Sequence, residues 1–383
     1  MKSYHNAFGT FNLDRYPTTT NPTLQAWDAA DSYLLEMLQA HPKWTSADRI
    51  ALCNDRFGAL AVTLAAAVAG TSSCQLHSLS DSWLSHEATR RNLALNHCDA
   101  NRIKLLDSLT IPENKLDILL IKIPKSIEFL KDTLVRLRPS LTPETLILAA
   151  GLVKQITPKT VQCFEQCWGK VNPSLAQRKA RVLTIQLEEK PGIAPSSPTC
   201  YQLDTPPMRL YNHANVFCQG RLDMGSRLLL EQLDKLPEAH QVIDLGCGNG
   251  VLGLAYAQCH PACDVLFIDE SYMALASARL NAQNNLPGSQ HTAFMAGDGL
   301  HEVASHSAEL ILCNPPFHQQ AEIGDDTAWQ MFHQARRVLN KNGCLVIVGN
   351  RHLGYHVKLK RLFGNCQQVA SNRKFVILLS HKH

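Results

Sequence analysis

Short β-branched and leucine-rich runs alternate with longer stretches of helical period along the whole chain, which predicts a doubly wound α/β fold. In the second half, residues 241–244, 263–268, 310–313 and 345–348 read as buried parallel strands, with helices at 251–259, 271–285 and 327–340 between them. One segment follows neither period. Residues 188–199 hold three prolines, a glycine and three serine or threonine residues, the composition of a linker. It falls near the middle, so each half has room for one domain.

The halves also align with each other. Ile50-Ala51-Leu52-Cys53-Asn54-Asp55-Arg56-Phe57-Gly58 matches Val242-Ile243-Asp244-Leu245-Gly246-Cys247-Gly248-Asn249-Gly250 at an offset of 192. Residues 81–96 match 270–285 at 189, and 117–122 match 309–314 at 192 again. A shared offset at three places points to two copies of one α/β domain. The copies part where chemistry would sit. Gly246 and Gly248 face Asn54 and Arg56, and Asn314-Pro315-Pro316-Phe317 faces Lys122-Ile123-Pro124-Lys125. A turn that needs small residues to admit a ligand does not accommodate arginine, so the first copy is expected to have lost its pocket.

Composition narrows the class. With 383 residues, 45% hydrophobic and 18% charged, the chain is neither collagen-like nor largely disordered. The opening Met1-Lys2-Ser3-Tyr4-His5-Asn6 lacks the apolar core of a secretory signal, and the longest apolar stretch, near 146–153, is far shorter than a membrane span. A cytoplasmic location with no membrane partner is the expectation. The 13 cysteines are odd in number and contain no CxxC pair, so reduced thiols and no metal site are expected. The net charge of +4 is uneven: residues 101–200 hold 15 basic against 9 acidic residues, and 351–383 hold 7 basic and none acidic. Such zones suit a polyanion, although solvated helix faces produce the same pattern.

The loop Asp244-Leu245-Gly246-Cys247-Gly248-Asn249-Gly250 follows a predicted strand and opens a helix, so its backbone passes close beneath a nucleoside-like cofactor. Gly248-Asn249-Gly250-Val251-Leu252-Gly253 also fits GxGxxG, so the loop alone leaves a dinucleotide site open. Asp269, at the end of the next strand, suits ribose hydroxyls in either case. Asn314-Pro315-Pro316-Phe317 separates the two. Consecutive prolines stiffen the turn and hold Asn314 extended, so that its Oδ1 and the Pro315 carbonyl can each accept an N–H from an exocyclic amine while Phe317 stacks on the ring.

Asp244-x-Gly246-x-Gly248-x-Gly250, Asp269, Asp298 and Asn314-Pro315-Pro316-Phe317 together resemble the motifs of class I S-adenosylmethionine-dependent methyltransferases acting on planar amines. The tandem copies, Asn314-Pro315-Pro316-Phe317-His318-Gln319, Asn350-Arg351-His352-Leu353 and Asn372-Arg373-Lys374-Phe375 narrow this to the bacterial ribosomal RNA guanine-N2 methyltransferases. The opening Gln25-Ala26-Trp27-Asp28-Ala29-Ala30-Asp31 is most similar to the large-subunit (23S) branch. The resemblance implies two tandem Rossmann-like domains with seven-stranded sheets: residues 1–190 a degenerate, RNA-holding copy, 191–200 a linker, and 201–383 the catalytic copy.

Residue by residue, the resemblance implies that the glycine loop, including Cys247 and Asn249, contacts the methionine part of S-adenosylmethionine, Asp269 the ribose and Asp298 the adenine edge. Residues 215–226, with Phe217, resemble the family's extra cofactor-side motif, although Asn215 replaces its usual glycine. Cys247 and Cys313 read as small buried spacers. The implied substrate is a flipped-out or single-stranded guanine of ribosomal RNA, and the implied protein a monomer. A 16S rRNA guanine, adenine N6 or a protein glutamine amide remains an alternative target, because the same turn serves each planar amine. A cofactor-sensing RNA-binding protein without catalysis, and a nicotinamide-dependent oxidoreductase, are further readings.

Overall fold

A computed structural model of the chain describes residues 2–19, 21–70, 74–189, 197–288, 290–316 and 321–383, those of 321–326 by backbone only. Two compact units divide it, Met1–Ser196 and Ser197–His383. In the first, a hairpin of β1 (Lys2–Asn6) and β2 (Gly9–Leu13) precedes α1 (Ala29–Gln39), β3 (Arg49–Cys53), α2 (Ala59–Ala67), β4 (Gln75–Ser80) and α3 (Trp83–Leu95). There follow β5 (Ile103–Asp107), β6 (Ile118–Lys122), α4 (Ile127–Leu137), β7 (Leu146–Leu152), α5 (Pro158–Cys167), β8 (Val171–Pro173) and β9 (Ala180–Ile185). The second unit repeats this. Its hairpin is β10 (Thr199–Asp204) with β11 (Pro207–Asn212), followed by α6 (Met224–Leu230), β12 (Gln241–Leu245), α7 (Val251–Cys259), β13 (Asp264–Asp269) and α8 (Tyr272–Asn285). It closes with β14 (Thr292–Ala296), β15 (Ala308–Cys313), α9 (Ala321–Val338), β16 (Leu339–Asn350), α10 (Tyr355–Phe363), β17 (Gln367–Ser371) and β18 (Phe375–His381).

The seven-stranded sheets have matching orders, β5-β4-β3-β6-β7-β9-β8 and β14-β13-β12-β15-β16-β18-β17. In each, five parallel strands are completed by an antiparallel pairing, β7 with β9 and β16 with β18. Their centres are continuous apolar runs, with Ile118 to Ile121 and Leu310 to Cys313 fully buried, because helices cover both faces. Strand order reverses between β3 and β6, and between β12 and β15, the switch points where such sheets admit ligands.

The strands and helices read from the second half are all present, with shifted ends. The helix expected at 327–340 stops at Val338, because Leu339 pairs with Ala308 in the sheet. Thr199 and Cys200, placed at the end of the linker, pair with Asn212 and Tyr211 instead. Residues 191–196 of that linker lie outside the described residues.

Both hairpins are fastened by asparagines four residues apart on one helix. Asn92 and Asn96 of α3 exchange hydrogen bonds with the backbone of Asp14 and Asn12, at 2.7–2.9 Å. Asn281 and Asn285 of α8 do the same with Tyr211 and Arg209, at 2.7–3.0 Å. The inner asparagine of each pair also donates to the loop after the first sheet strand, Asn92 to the Phe57 carbonyl and Asn281 to that of Asn249. Helical i,i+4 spacing puts both amides on one face, where they act as a ladder for the hairpin.

The first copy keeps the left-handed turn of the glycine loop at two of its three positions, Arg56 opposite Gly248 (φ 55) having no positive φ, and its cleft is small. Asn54 (φ 63) and Gly58 (φ 80) are left-handed like their counterparts Gly246 (φ 67) and Gly250 (φ 82). The cleft lined by Cys53, Asn54, Leu79, Ser108 and Thr110 is about 10 Å³, room for a single water. At the Asn314-equivalent position, Lys122 Nζ lies 2.8 Å from Asp28 Oδ1 and 2.7 Å from Asp31 Oδ1. Burial works against a charged lysine there, yet Asp31 and Asp28 together hold its pKa above the ordinary value.

Because Asp31 is buried, removing its counterion should be costly. Lys122→Met is expected to destabilise the chain by about 3–5 kcal/mol at pH 7 in urea denaturation. The loss should shrink towards pH 5, since a protonated Asp31 needs no counterion; a pH-independent loss would point to packing alone.

Candidate functional site

In the second copy the glycine loop and the Asn-Pro-Pro turn leave adjacent strands, β12 and β15, at the switch point, with Leu245 and Cys313 as Cα partners. Gly246, Gly248 and Gly250 all have positive φ (67, 55 and 82), which explains glycine at each. Their surroundings differ. A Cβ on Gly250 would press on Ala278 at 3.0 Å, so this glycine serves helix packing, while one on Gly248 would meet nothing within 4 Å. The loop therefore has open space above Gly248, where a ligand can lie close to the backbone.

Two carboxylates hold the loop from below. Asp244 Oδ2 accepts from Gly253 N at 2.8 Å, anchoring the start of α7. Its complete burial, reinforced by Asp269, pushes the pKa up to about 8 against the pull of the Gly253 N–H. Asp269 Oδ2 accepts from Gly248 N at 2.9 Å, and its Oδ1 from Ser271 N. The acid expected at the ribose thus stands directly beside the glycine loop. Asn249 is buried; its side chain donates to the Tyr201 hydroxyl and accepts from Val251 N. Cys247 and Cys313 are buried, and burial pushes both thiols well above the ordinary range, as suits spacers rather than nucleophiles. Asp298 lies just past β14, half-buried, and accepts from Gln330 Nε2 at 3.3 Å. Phe217, 62% exposed, sits in the loop between β11 and α6.

Asn314 is the centre of the arrangement. Its Nδ2 donates to Ser226 Oγ at 3.0 Å and faces the Asp223 carboxylate at 3.3 and 3.4 Å. Asp223 is also the N-cap of α6, accepting from Gly225 N and Ser226 N. A carboxylate only accepts, so the amide must turn its NH₂ towards α6 and its Oδ1 away. That Oδ1 is buried and has no hydrogen-bond partner among the described residues. A buried acceptor without a donor is costly and marks a place for one. Pro315 is buried and Pro316 exposed, while Phe317 lies outside the described residues.

Asp223 and Ser226 stand in no local motif that marks them as partners of Asn314. The signal was in the repeat: Asp28 and Asp31 occupy the same places in α1, but at an offset of 195 rather than 192.

Comparison with known proteins agrees with this geometry. Residues 1–189 match the RLMG N-terminal domain, and residues 207–379 the methyltransferase small domain. The ribosomal RNA large subunit methyltransferase G of Stutzerimonas stutzeri is 46% identical over 98% of both chains, and that of Pseudomonas aeruginosa 45% identical over 100% of both. The chain belongs to the ribosomal RNA large subunit methyltransferase G family. A solved Thermus thermophilus 16S rRNA N2 methyltransferase, in complex with AdoMet and guanosine, shares the fold at 18% identity. It covers 100% of this chain and 98% of its own, with a TM-score of 0.76.

The amide orientation can be tested by exchanging its partners. Asp223→Asn keeps a good N-cap but can donate to Asn314 Oδ1, and Asn314→Asp sets two carboxylates together. Each should lower methyl transfer about 100-fold, the scale of an ångström's misplacement. The double variant Asp223→Asn/Asn314→Asp restores one donor facing one acceptor and should recover at least about tenfold of that loss. Absence of recovery in single-turnover assays would show that Asp223 does not set the amide.

Proposed function

We propose that this chain transfers the methyl group of S-adenosylmethionine to the exocyclic N2 amine of a guanine in 23S ribosomal RNA. The observation that carries the reading is Asn314 Oδ1, a buried acceptor at the end of β15, turned away from α6, with no donor among the described residues. The cofactor supplies a methyl already activated by its sulfonium. The open space above Gly248 and the carboxylate of Asp269 suit its methionine and ribose parts. Asp298 suits the adenine edge, with Phe217 on the cofactor side.

Guanine N2 is a weak nucleophile because its lone pair is delocalised into the ring. What the protein supplies is orientation more than a strong base. Asn314 Oδ1 and the Pro315 carbonyl each accept one N2 hydrogen, drawing the amine out of conjugation and aiming its lone pair. The new N–C bond forms as the methyl's bond to sulfur breaks, and the surplus proton leaves to water. Phe317 gives the base a stacking surface. A guanine within a helix cannot reach this edge, so the target is flipped out or single-stranded.

The first copy, with its small cleft and an excess of basic residues in its second part, serves as the RNA-holding scaffold within residues 1–190. The protein acts as a cytoplasmic monomer. Among the described residues no helix is long and apolar enough to cross a membrane, and no cluster of His, Cys, Asp or Glu suits a metal ion.

Asn314→Ala should keep cofactor affinity and lose on the order of 100-fold in methyl transfer to 23S rRNA, as when one stabilising contact at a reacting centre is removed. Normal turnover would remove the basis of the assignment, and recovery of N6-methyladenosine in digested RNA would transfer it to the adenine alternative. Residues 197–383 alone should bind rRNA more weakly than the full chain at matched salt; equal affinities would refute the scaffold role.

A further inference from the structure

Beyond β16, two loops at the active edge of the second sheet carry basic residues that the reaction does not use. Residues 351–383 contain seven Lys or Arg and no Asp or Glu. Three of the seven are drawn together. Arg351 N donates to the Lys374 carbonyl at 2.9 Å and Arg351 Nη1 to the Asn372 carbonyl at 3.3 Å, fastening the loop after β16 to the β17–β18 turn. Asn372 Oδ1 in turn accepts from Lys374 N and Phe375 N, so the turn has a fixed shape, and Lys374 Nζ lies 5.2 Å over the Phe375 ring. Arg351, Arg373 and Lys374 are exposed, and among the described residues none has a carboxylate in salt-bridge range. A surface shaped for stability alone intersperses acids among such cations; converging like charges repel unless a polyanion joins them.

Their position adds a second argument. β16 runs parallel to β15, with Cys313 opposite Ile347, so Asn350 ends its strand at the same edge as Asn314. Leu312, Val346 and Val348 share one core face with Leu229 of α6, so side-chain alternation puts Asn314 and Asn350 on that face too. Asn350 is 5% exposed and its Oδ1 has no partner among the described residues, a second unsatisfied acceptor at the root of the basic loops. α6 reaches the same place: a Cβ on Gly225 would meet Val348 at 2.8 Å and Phe375 at 3.4 Å. Asp223, Asn314, Asn350 and the fastened loops thus follow one another along a single edge.

We propose that Arg351, Arg373 and Lys374 form an RNA-binding lip of the catalytic copy, gripping backbone phosphates that flank the nucleotide presented to Asn314. This rests on the RNA-methylation reading above and adds that RNA is held by the catalytic copy as well as by the scaffold. A fork of arginines beside one lysine suits phosphate oxygens, which accept in several directions.

The test is the full-length variant Arg373→Ala/Lys374→Ala, a net change of −2, with Lys341→Glu at the far end of β16, also −2, as the control for net charge. Filter binding of a 23S rRNA transcript and steady-state methylation are both measured over a range of salt. The lip variant should bind RNA at least about tenfold more weakly and raise KM to match, with kcat at saturating RNA and cofactor affinity unchanged. Its log affinity should depend on log salt with a slope smaller by about one to two, the signature of lost phosphate contacts. RNA affinity and salt slope equal to wild type, or an equal loss in Lys341→Glu, would overturn the proposal. So would a defect confined to particles containing ribosomal proteins, which would make the partner a protein. A wild-type chain that binds the transcript but leaves its guanines unmethylated would instead overturn the functional reading, since binding at the lip is measured without turnover.

Discussion

An aspartate that caps the helix before the first sheet strand, and reaches the residue at the end of the fourth, sets which hydrogen-bonding groups that strand end presents in each half. Its oxygens accept and cannot donate, so the residue it meets has to bring hydrogens. In the first copy that residue is Lys122, whose ammonium is paired with Asp28 and Asp31 and has no acceptor to offer. In the second it is Asn314, an amide with a donor on one side and an acceptor on the other. Spending the donor on α6 obliges the acceptor to face away. The same cap therefore meets an ammonium in one copy and leaves an acceptor facing away from α6 in the other, according to one side chain.

The first copy holds the corresponding loop with different residues. Its loop keeps left-handed φ at Asn54 and Gly58 but not at Arg56, so the turn survives at one of the two positions that have lost glycine. The carboxylate beneath the loop survives too, from a different position. Asp244 on the strand holds Gly253 N, whereas Asp55 in the loop holds the equivalent Ala61 N at 2.7 Å. Burial, with Asp31 nearby, pushes the Asp55 pKa up to about 7, so in both copies the helix start rests on a carboxyl that gives up its proton reluctantly. Moving the acid off the strand leaves Leu52 there, fully buried in the core.

Much of this was legible in the chain itself, for physical reasons. Parallel strands buried on both faces must be continuous apolar runs, so 310–313 and 345–348 stand out from the helix between them. Loops that need positive φ select glycine, so the turn at 246–250 is visible, and two prolines after Asn314 mark a stiff turn. The hairpins were not visible, because β1–β2 and β10–β11 are secured by asparagines on distant helices rather than by their own pattern. The partners of Asn314 were hidden for a related reason: a contact across 91 residues leaves no local period. The helix end at Val338 was missed because the following strand begins without an intervening turn, its first residue already paired in the sheet.

The asparagine ladder also bears on how the two copies could drift apart. Where Asn92 and Asn96, like Asn281 and Asn285, meet the hairpin, they bond to its peptide groups and not to its side chains. Any residue with a free N–H and C=O satisfies them, so selection acting through this joint sees the path of the chain and not the identity of its side chains. Each hairpin can become unrecognisable in sequence while staying in register with its helix. An attachment of this kind keeps shape heritable at positions where sequence is not.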